Sequence, residues 1–167
     1  MNSIFKTRTY LPMAAVLLTL ALIGTARAGT EKQTLLAGAM QGQESDVFQG
    51  PPPGILLVNG TVTGIAAHLG RFTLVYKVTV TLADGTAVGS GELIAANGDS
   101  IQATVAGSST SPEPGIGSIV EIYTVTGGTG RFTGASGSFT VQRLVDLATG
   151  LTSGSLQGVV TAPAGAH

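Results

Sequence analysis

The chain has 167 residues, 43% of them hydrophobic and only 10% charged, with 25 glycines and neither Cys nor Trp. That length suits one domain with a real core, and the low charge argues against a disordered chain. A formal charge of −1 gives no basic patch for nucleic acid, and the absence of Cys excludes disulfides, thiolate metal sites and cysteine nucleophiles.

The N-terminus reads as an export signal. Lys6 and Arg8 precede Leu11 to Ile23, an uncharged run of 13 residues, and Ala26-Arg27-Ala28 follows as a small-x-small cleavage pattern. The run is shorter than the roughly 20 apolar residues that a membrane helix needs. The expected organisation is a signal peptide over 1–28 and a single domain over 29–167. Cleavage removes Lys6, Arg8 and Arg27, leaving five basic against nine acidic residues, a net charge of −4. The expected location is secreted or periplasmic, with no membrane span left after cleavage. The compact signal and an exported domain without disulfides point to a bacterium.

Beyond Leu35 the chain alternates with period two and is rich in Thr, Val and Ile. Strands are predicted near 34–41, 55–67, 71–82, 87–95, 99–106, 117–126, 137–145 and 152–161. The clearest is 71–82, where Phe72, Leu74, Tyr76, Val78, Val80 and Leu82 share one parity. Asp84-Gly85 and Asn97-Gly98 mark hairpin turns, and Asp146 to Gly150 a longer one. Gln49 to Gly54, with three successive prolines, is a stiff connector, and Ser108 to Gly115, with Pro112 and Pro114, reads as a second loop. Eight strands joined by short turns predict an all-β, antiparallel up-and-down barrel, closed so that no edge is exposed. Gly70-Arg71-Phe72-Thr73 returns as Gly130-Arg131-Phe132-Thr133, which suggests a duplicated half-barrel.

The most distinctive stretch is Thr126-Gly127-Gly128-Thr129-Gly130-Arg131-Phe132-Thr133-Gly134-Ala135-Ser136-Gly137. A phosphate loop is a poor reading, because no Walker lysine and no βαβ unit accompany it. Its glycines Gly127, Gly128, Gly130, Gly134 and Gly137 instead permit a tight structural loop, with Phe132 folded inward to plug one barrel end. The run T-G-G-T-G-x-F-x-G-x-x-G resembles a segment of the allene oxide cyclase and dirigent-like barrels, and of small secreted bacterial proteins that carry the same run. That resemblance implies an eight-stranded barrel with a central apolar cavity and a homo-oligomer, dimer or trimer. No catalytic residue is carried over, because no further motif matches.

Polar residues on apolar parities are the candidate ligand contacts. Glu121 shares parity with Ile119, Tyr123 and Val125, and Arg143 with Phe139, Val141 and Val145. A hairpin centred on Phe132 would place Glu121 opposite Arg143, where pairing offsets the cost of burial. A salt bridge at the barrel rim, or an outward Glu121, satisfies the same pattern. Tyr76 and Tyr123 could offer hydroxyls to a ligand or serve only as packing. Glu92 shares parity with Val88 and Ile94, and His68 reads as a turn residue. No metal site and no cofactor are expected, since only His68 and His167 are available and no calcium-loop spacing occurs. The leading expectation is a barrel that binds a small apolar or amphipathic ligand. The alternatives are a cyclase- or dirigent-like enzyme that positions a reactive substrate, and a self-associating envelope protein.

Overall fold

The computed structural model describes residues 31–165; the expected signal peptide and His167 lie outside them. Eight antiparallel strands follow one another and close: β1 (Glu31–Gln49), β2 (Ile55–Ala66), β3 (Gly70–Thr81), β4 (Thr86–Ala95), β5 (Ser100–Glu113), β6 (Ile116–Gly128), β7 (Ser136–Asp146) and β8 (Leu151–Pro163). Each strand pairs with its sequence neighbour, and β1 pairs with β8 to close the barrel. The all-β up-and-down barrel read from the sequence is the fold. A single 3-10 turn, Gly130–Phe132, is the one element that is not a strand among the described residues.

Alternation decides what fills the barrel. Even positions of β1, β2, β3 and β8 and odd positions of β4 to β7 point inward, as Leu36, Val62, Leu74, Leu93, Val141 and Leu156 show by their burial. Outward positions carry Thr, Ser, Gln and Lys among scattered apolar residues. Glu92 stands on this outer face, because the inward parity of β4 is that of Ala87, Leu93 and Ala95. Leu82, grouped by parity with the inward row of β3, falls in the β3–β4 turn and is exposed.

Interior glycines set the spacing. A Cβ on Gly60 would collide with the Tyr76 ring, one on Gly64 with the Phe72 ring, and one on Gly91 with the Tyr123 ring at 2.6 Å. Gly107 and Gly154 stand in the same relation to Glu121 and Arg143. Large side chains thus reach across the axis over strands without side chains, the small–large alternation by which narrow barrels are filled. Where the resemblance implies a central apolar cavity, Tyr76, Tyr123, Phe132 and Phe139 point into the interior, each 2% exposed or less.

Two strands run longer than their sequence signals. β1 continues to Gln49 through the polar run Gln41 to Asp46, and β5 continues to Glu113 through residues read as a loop. Pro112 is accommodated there because the β5–β6 ladder shifts register between Thr110 and Glu113, so no ladder donor is needed. The two Gly-Arg-Phe-Thr copies differ in conformation, the first opening β3 and the second forming the 3-10 turn. Their likeness does not extend to local structure.

The barrel ends are unlike. One end carries the turns 67–69 and 96–99 and the connection 129–135, and is sealed by buried Leu69, Phe132 and Ala135. Gly130 (φ 55°) and Gly134 (φ 71°) bracket this plug in the left-handed region, where a side chain would be strained. His68, at φ 60°, is an exposed turn residue there. The other end carries the connector 50–54 and the turns 82–85, 114–115 and 147–150, and among the described residues no buried aromatic side chain caps it from within.

Replacing Gly91 by Ala forces a methyl into the Tyr123 ring. It is expected to cost about 1–3 kcal/mol in urea unfolding. Ser90→Ala on the exposed face beside it changes stability by less than about 0.5 kcal/mol. Equal effects would show that interior spacing is not limiting.

Candidate functional site

The four candidate residues converge. Tyr76 on β3, Glu121 and Tyr123 on β6 and Arg143 on β7 all point inward and meet beneath the uncapped end of the barrel. Arg143 is the hub. Its Nη1 donates to Glu44 Oε2, its Nη2 to Glu121 Oε1 at 3.5 Å, and its guanidinium lies 4.6 Å from the centroid of the Tyr76 ring. Tyr76 donates its hydroxyl proton to Glu44 Oε2 at 2.7 Å, and Tyr123 to Glu121 Oε2 at 3.3 Å. Phe139 stacks on Tyr123 with centroids 4.8 Å apart. The side chains of Arg143, Glu44 and Glu121 are 2%, 3% and 1% exposed.

Glu121 and Arg143 pair as expected from parity, though not across a rung. Glu121 stands opposite Val141, and Arg143 opposite Ile119, so the two meet diagonally on the inner face. The register differs because the β6–β7 connection is no symmetric turn. It takes a 3-10 turn over Gly130–Phe132 and a further bend in which Ala135 N donates to Phe132 O at 2.9 Å.

Glu44 is the member that the sequence reading missed. It sits in a run that looks like a loop, Gln41-Gly42-Gln43-Glu44-Ser45-Asp46. The signal was there in parity: Leu36, Gly38, Met40, Gly42 and Glu44 form one inward row. Asp46, one inward step further, lies at the exposed rim of the same cluster.

The electrostatics follow from burial. Desolvation raises the Glu121 pKa above its usual 4.5 in spite of the opposing pull of Arg143. Partial burial, then the nearby Glu44 charge, raises Asp46. Burial pushes both tyrosines far up, so their hydroxyls remain donors. Burial works against the charge on Arg143, yet Glu121, Tyr76, Glu44 and Tyr123 together outweigh it and hold the guanidinium charged. Its Nε has no partner.

The remaining space is small. A void of about 30 Å³ lies between Glu44, Asp46, Glu121 and Arg143 and the apolar walls Leu56, Val58, Val80, Ile119, Val145 and Leu147. It admits about one water-sized group. Around it, Phe48, Leu82 and Leu147 stand about half exposed at the same end. A larger concavity of about 850 Å³ lies on the outer wall across β1 to β4, between Gln41, Thr63, Ile65, Arg71, Thr73 and Ile94. It is shallow, and its one charged side chain is Arg71. Gly127, Gly128, Gly130, Phe132, Gly134 and Gly137 belong to the sealed end, away from this cluster. Among the described residues no group of three or more His, Cys, Asp or Glu is placed to hold a metal ion, and no helix is long and apolar enough to cross a membrane.

No protein-family model matches the chain, and no curated protein matches it. Among solved structures it is similar to a pterocarpan synthase dirigent protein, at 15% identity over 92% of this chain and 99% of that one, with a TM-score of 0.32.

Two outcomes are expected. Arg143→Met leaves Glu44 and Glu121 buried without their cation and costs about 3–5 kcal/mol in urea unfolding. In the wild type, folded Glu121 holds its proton more tightly than the unfolded chain does. Its stabilisation is therefore full below the usual carboxylate range and is lost as pH rises through the folded value. Glu121→Gln flattens that decline in a stability–pH profile, leaving the residual slope of Asp46, which has the same sign. A profile as steep as wild type would show that Glu121 does not carry it.

Proposed function

We propose that this chain is an exported barrel that binds a small amphipathic molecule at its uncapped end. In this reading the polar group enters between Glu44, Glu121 and Arg143, and the apolar body rests on the rim of Phe48, Leu82 and Leu147. The observation that carries it is the buried ionic cluster placed directly under an exposed apolar mouth. A core with no task to perform is as stable, or more so, with well-packed apolar residues in place of such a cluster. The filled interior moves the site from the centre of the barrel, where it was expected, to the mouth. Ligands of ordinary size need some 300 Å³ or more of enclosed space, and only a head group fits inside here.

A dirigent-like role is the second reading, and the raised pKa of Glu121 favours it. The Glu121 carboxyl, whose hold on a proton burial strengthens, lies beside the donor hydroxyl of Tyr123, and the two are placed to orient a substrate carbonyl at the mouth. Such an enzyme would act chiefly by holding a reactive molecule in one conformation.

Export is supported by the basic start, the apolar run and Ala26-Arg27-Ala28. The mass of the protein recovered from its source is expected to begin at Gly29, and an intact N-terminus would contradict this. For binding, tyrosine emission is the readout, since Tyr76 and Tyr123 both lie in the cluster. A saturable change on adding a short-chain amphiphile, lost in Tyr76→Phe/Tyr123→Phe, is expected. No change with amphiphiles of any head group would remove the site.

A further inference from the structure

Resting on the binding reading above, we infer that the mouth takes a neutral aliphatic hydroxyl on a slender apolar body. The hydroxyl oxygen accepts from Arg143 Nε, and its proton is donated to Glu44 Oε1.

An unused donor is the first observation. The side chain of Arg143 is 2% exposed; its Nη1 donates to Glu44 and its Nη2 to Glu121, and its Nε has no partner. A buried donor left without an acceptor is uncommon in a finished core, and leaving it so is costly. Arg143 lines the void of about 30 Å³, and an acceptor seated there answers that donor. The head group therefore brings a lone pair. An ammonium has none, and it would sit beside a guanidinium of its own sign.

An unused acceptor is the second. Tyr76 and Arg143 both donate to Glu44 at Oε2, and among the described residues no hydrogen bond reaches Oε1. Glu44 lines the same void as Arg143, so the head group also brings a proton to donate. A ketone or ether oxygen meets the first need and not the second. A hydroxyl meets both, since it carries one donor and two lone pairs.

Charge and size narrow the class further. Glu44, Asp46 and Glu121 border the void with one guanidinium, which Glu44 and Glu121 already share. Leu56, Val58, Ala87 and Ser109 in the same lining bring no charge. A carboxylate head would thus meet three carboxyl groups and no spare cation. About 30 Å³ holds a group of the bulk of one water molecule, which is the bulk of a hydroxyl. A hydroxyl reproduces both hydrogen bonds that a water would make there, and its chain adds apolar contact with Phe48, Leu82 and Leu147.

The test is calorimetric titration of the protein, as isolated from its source, with 2-octanol, 2-octanone, 2-aminooctane and octanoate. The first three share one skeleton and differ only in the head group. 2-Octanol is expected to bind about ten-fold or more tightly than 2-octanone, as a hydrogen bond donated to a buried carboxylate requires, and the amine and the carboxylate are expected not to bind. Glu44→Gln supplies the second readout. Its amide oxygen keeps the Tyr76 and Arg143 donors, so its –NH₂ takes the place of Oε1 and donates where Glu44 accepted. The ketone is then expected to bind at least as tightly as the alcohol, whereas a merely structural change weakens both alike. Equal or tighter binding of any of the other three to the wild type would overturn the hydroxyl assignment and leave the mouth as a binding site. An alcohol-to-ketone ratio unchanged in Glu44→Gln would overturn it too, and if that variant does not fold the wild-type ranking decides. Binding by none of the four would remove the hydroxyl assignment and the mouth site together.

Discussion

A guanidinium buried inside an eight-stranded barrel constrains everything around it. Arg143 stays charged because Glu44 and Glu121 come from two other strands to meet it, and because Tyr76 offers it a ring face while donating its hydroxyl proton to Glu44. None of these side chains could reach the axis unless the strands beside them gave way, and they do so at Gly60, Gly91, Gly107 and Gly154. The high glycine content is thus a packing requirement as much as a turn requirement. Gly60, Gly91, Gly107 and Gly154 face Tyr76, Tyr123, Glu121 and Arg143 in turn, and an added methyl at any of these four acts on the cluster.

The two ends of the barrel divide the labour. At one end Phe132, Leu69 and Ala135 close the interior, and Asp99 reaches Arg131 at 3.5 Å across the plug. At the other end the interior runs out in a narrow throat whose floor is ionic and whose lip is apolar. The desolvation that raises Glu121 and Asp46 has the same origin, because both carboxyls lie under or beside apolar walls.

Much of this was legible in the sequence, for a physical reason. Closed antiparallel barrels of this size have short turns and strict alternation, and Asp-Gly, Asn-Gly and the period-two rows report both. Parity singled out Tyr76, Glu121, Tyr123 and Arg143 as candidates for the interior, with a rim salt bridge or an outward Glu121 fitting the same pattern. It could not give the rung, because that depends on the shape of the Thr129–Ala135 connection, and the pair meets diagonally as a result. Glu44 was hidden by its neighbours: with Gln41, Gln43 and Ser45 outside and Gly42 inside, the run carries no apolar signal, so the first strand was ended at residue 41. The filling of the axis was equally invisible, since a sequence does not say which glycine faces which aromatic ring.

The central claim is that the Glu44–Arg143–Glu121 cluster serves a ligand and is more than a core filler. A native mass spectrum of the protein purified gently from its source, beside a variant carrying Glu44→Met, Glu121→Leu and Arg143→Met, tests it most directly. Removing all three charges together avoids an unpaired buried ion, so this variant is expected to fold. The expected result is added mass on the wild type that disappears on denaturation and is missing from the variant. A bare wild type, or the same added mass on both proteins, would contradict the claim.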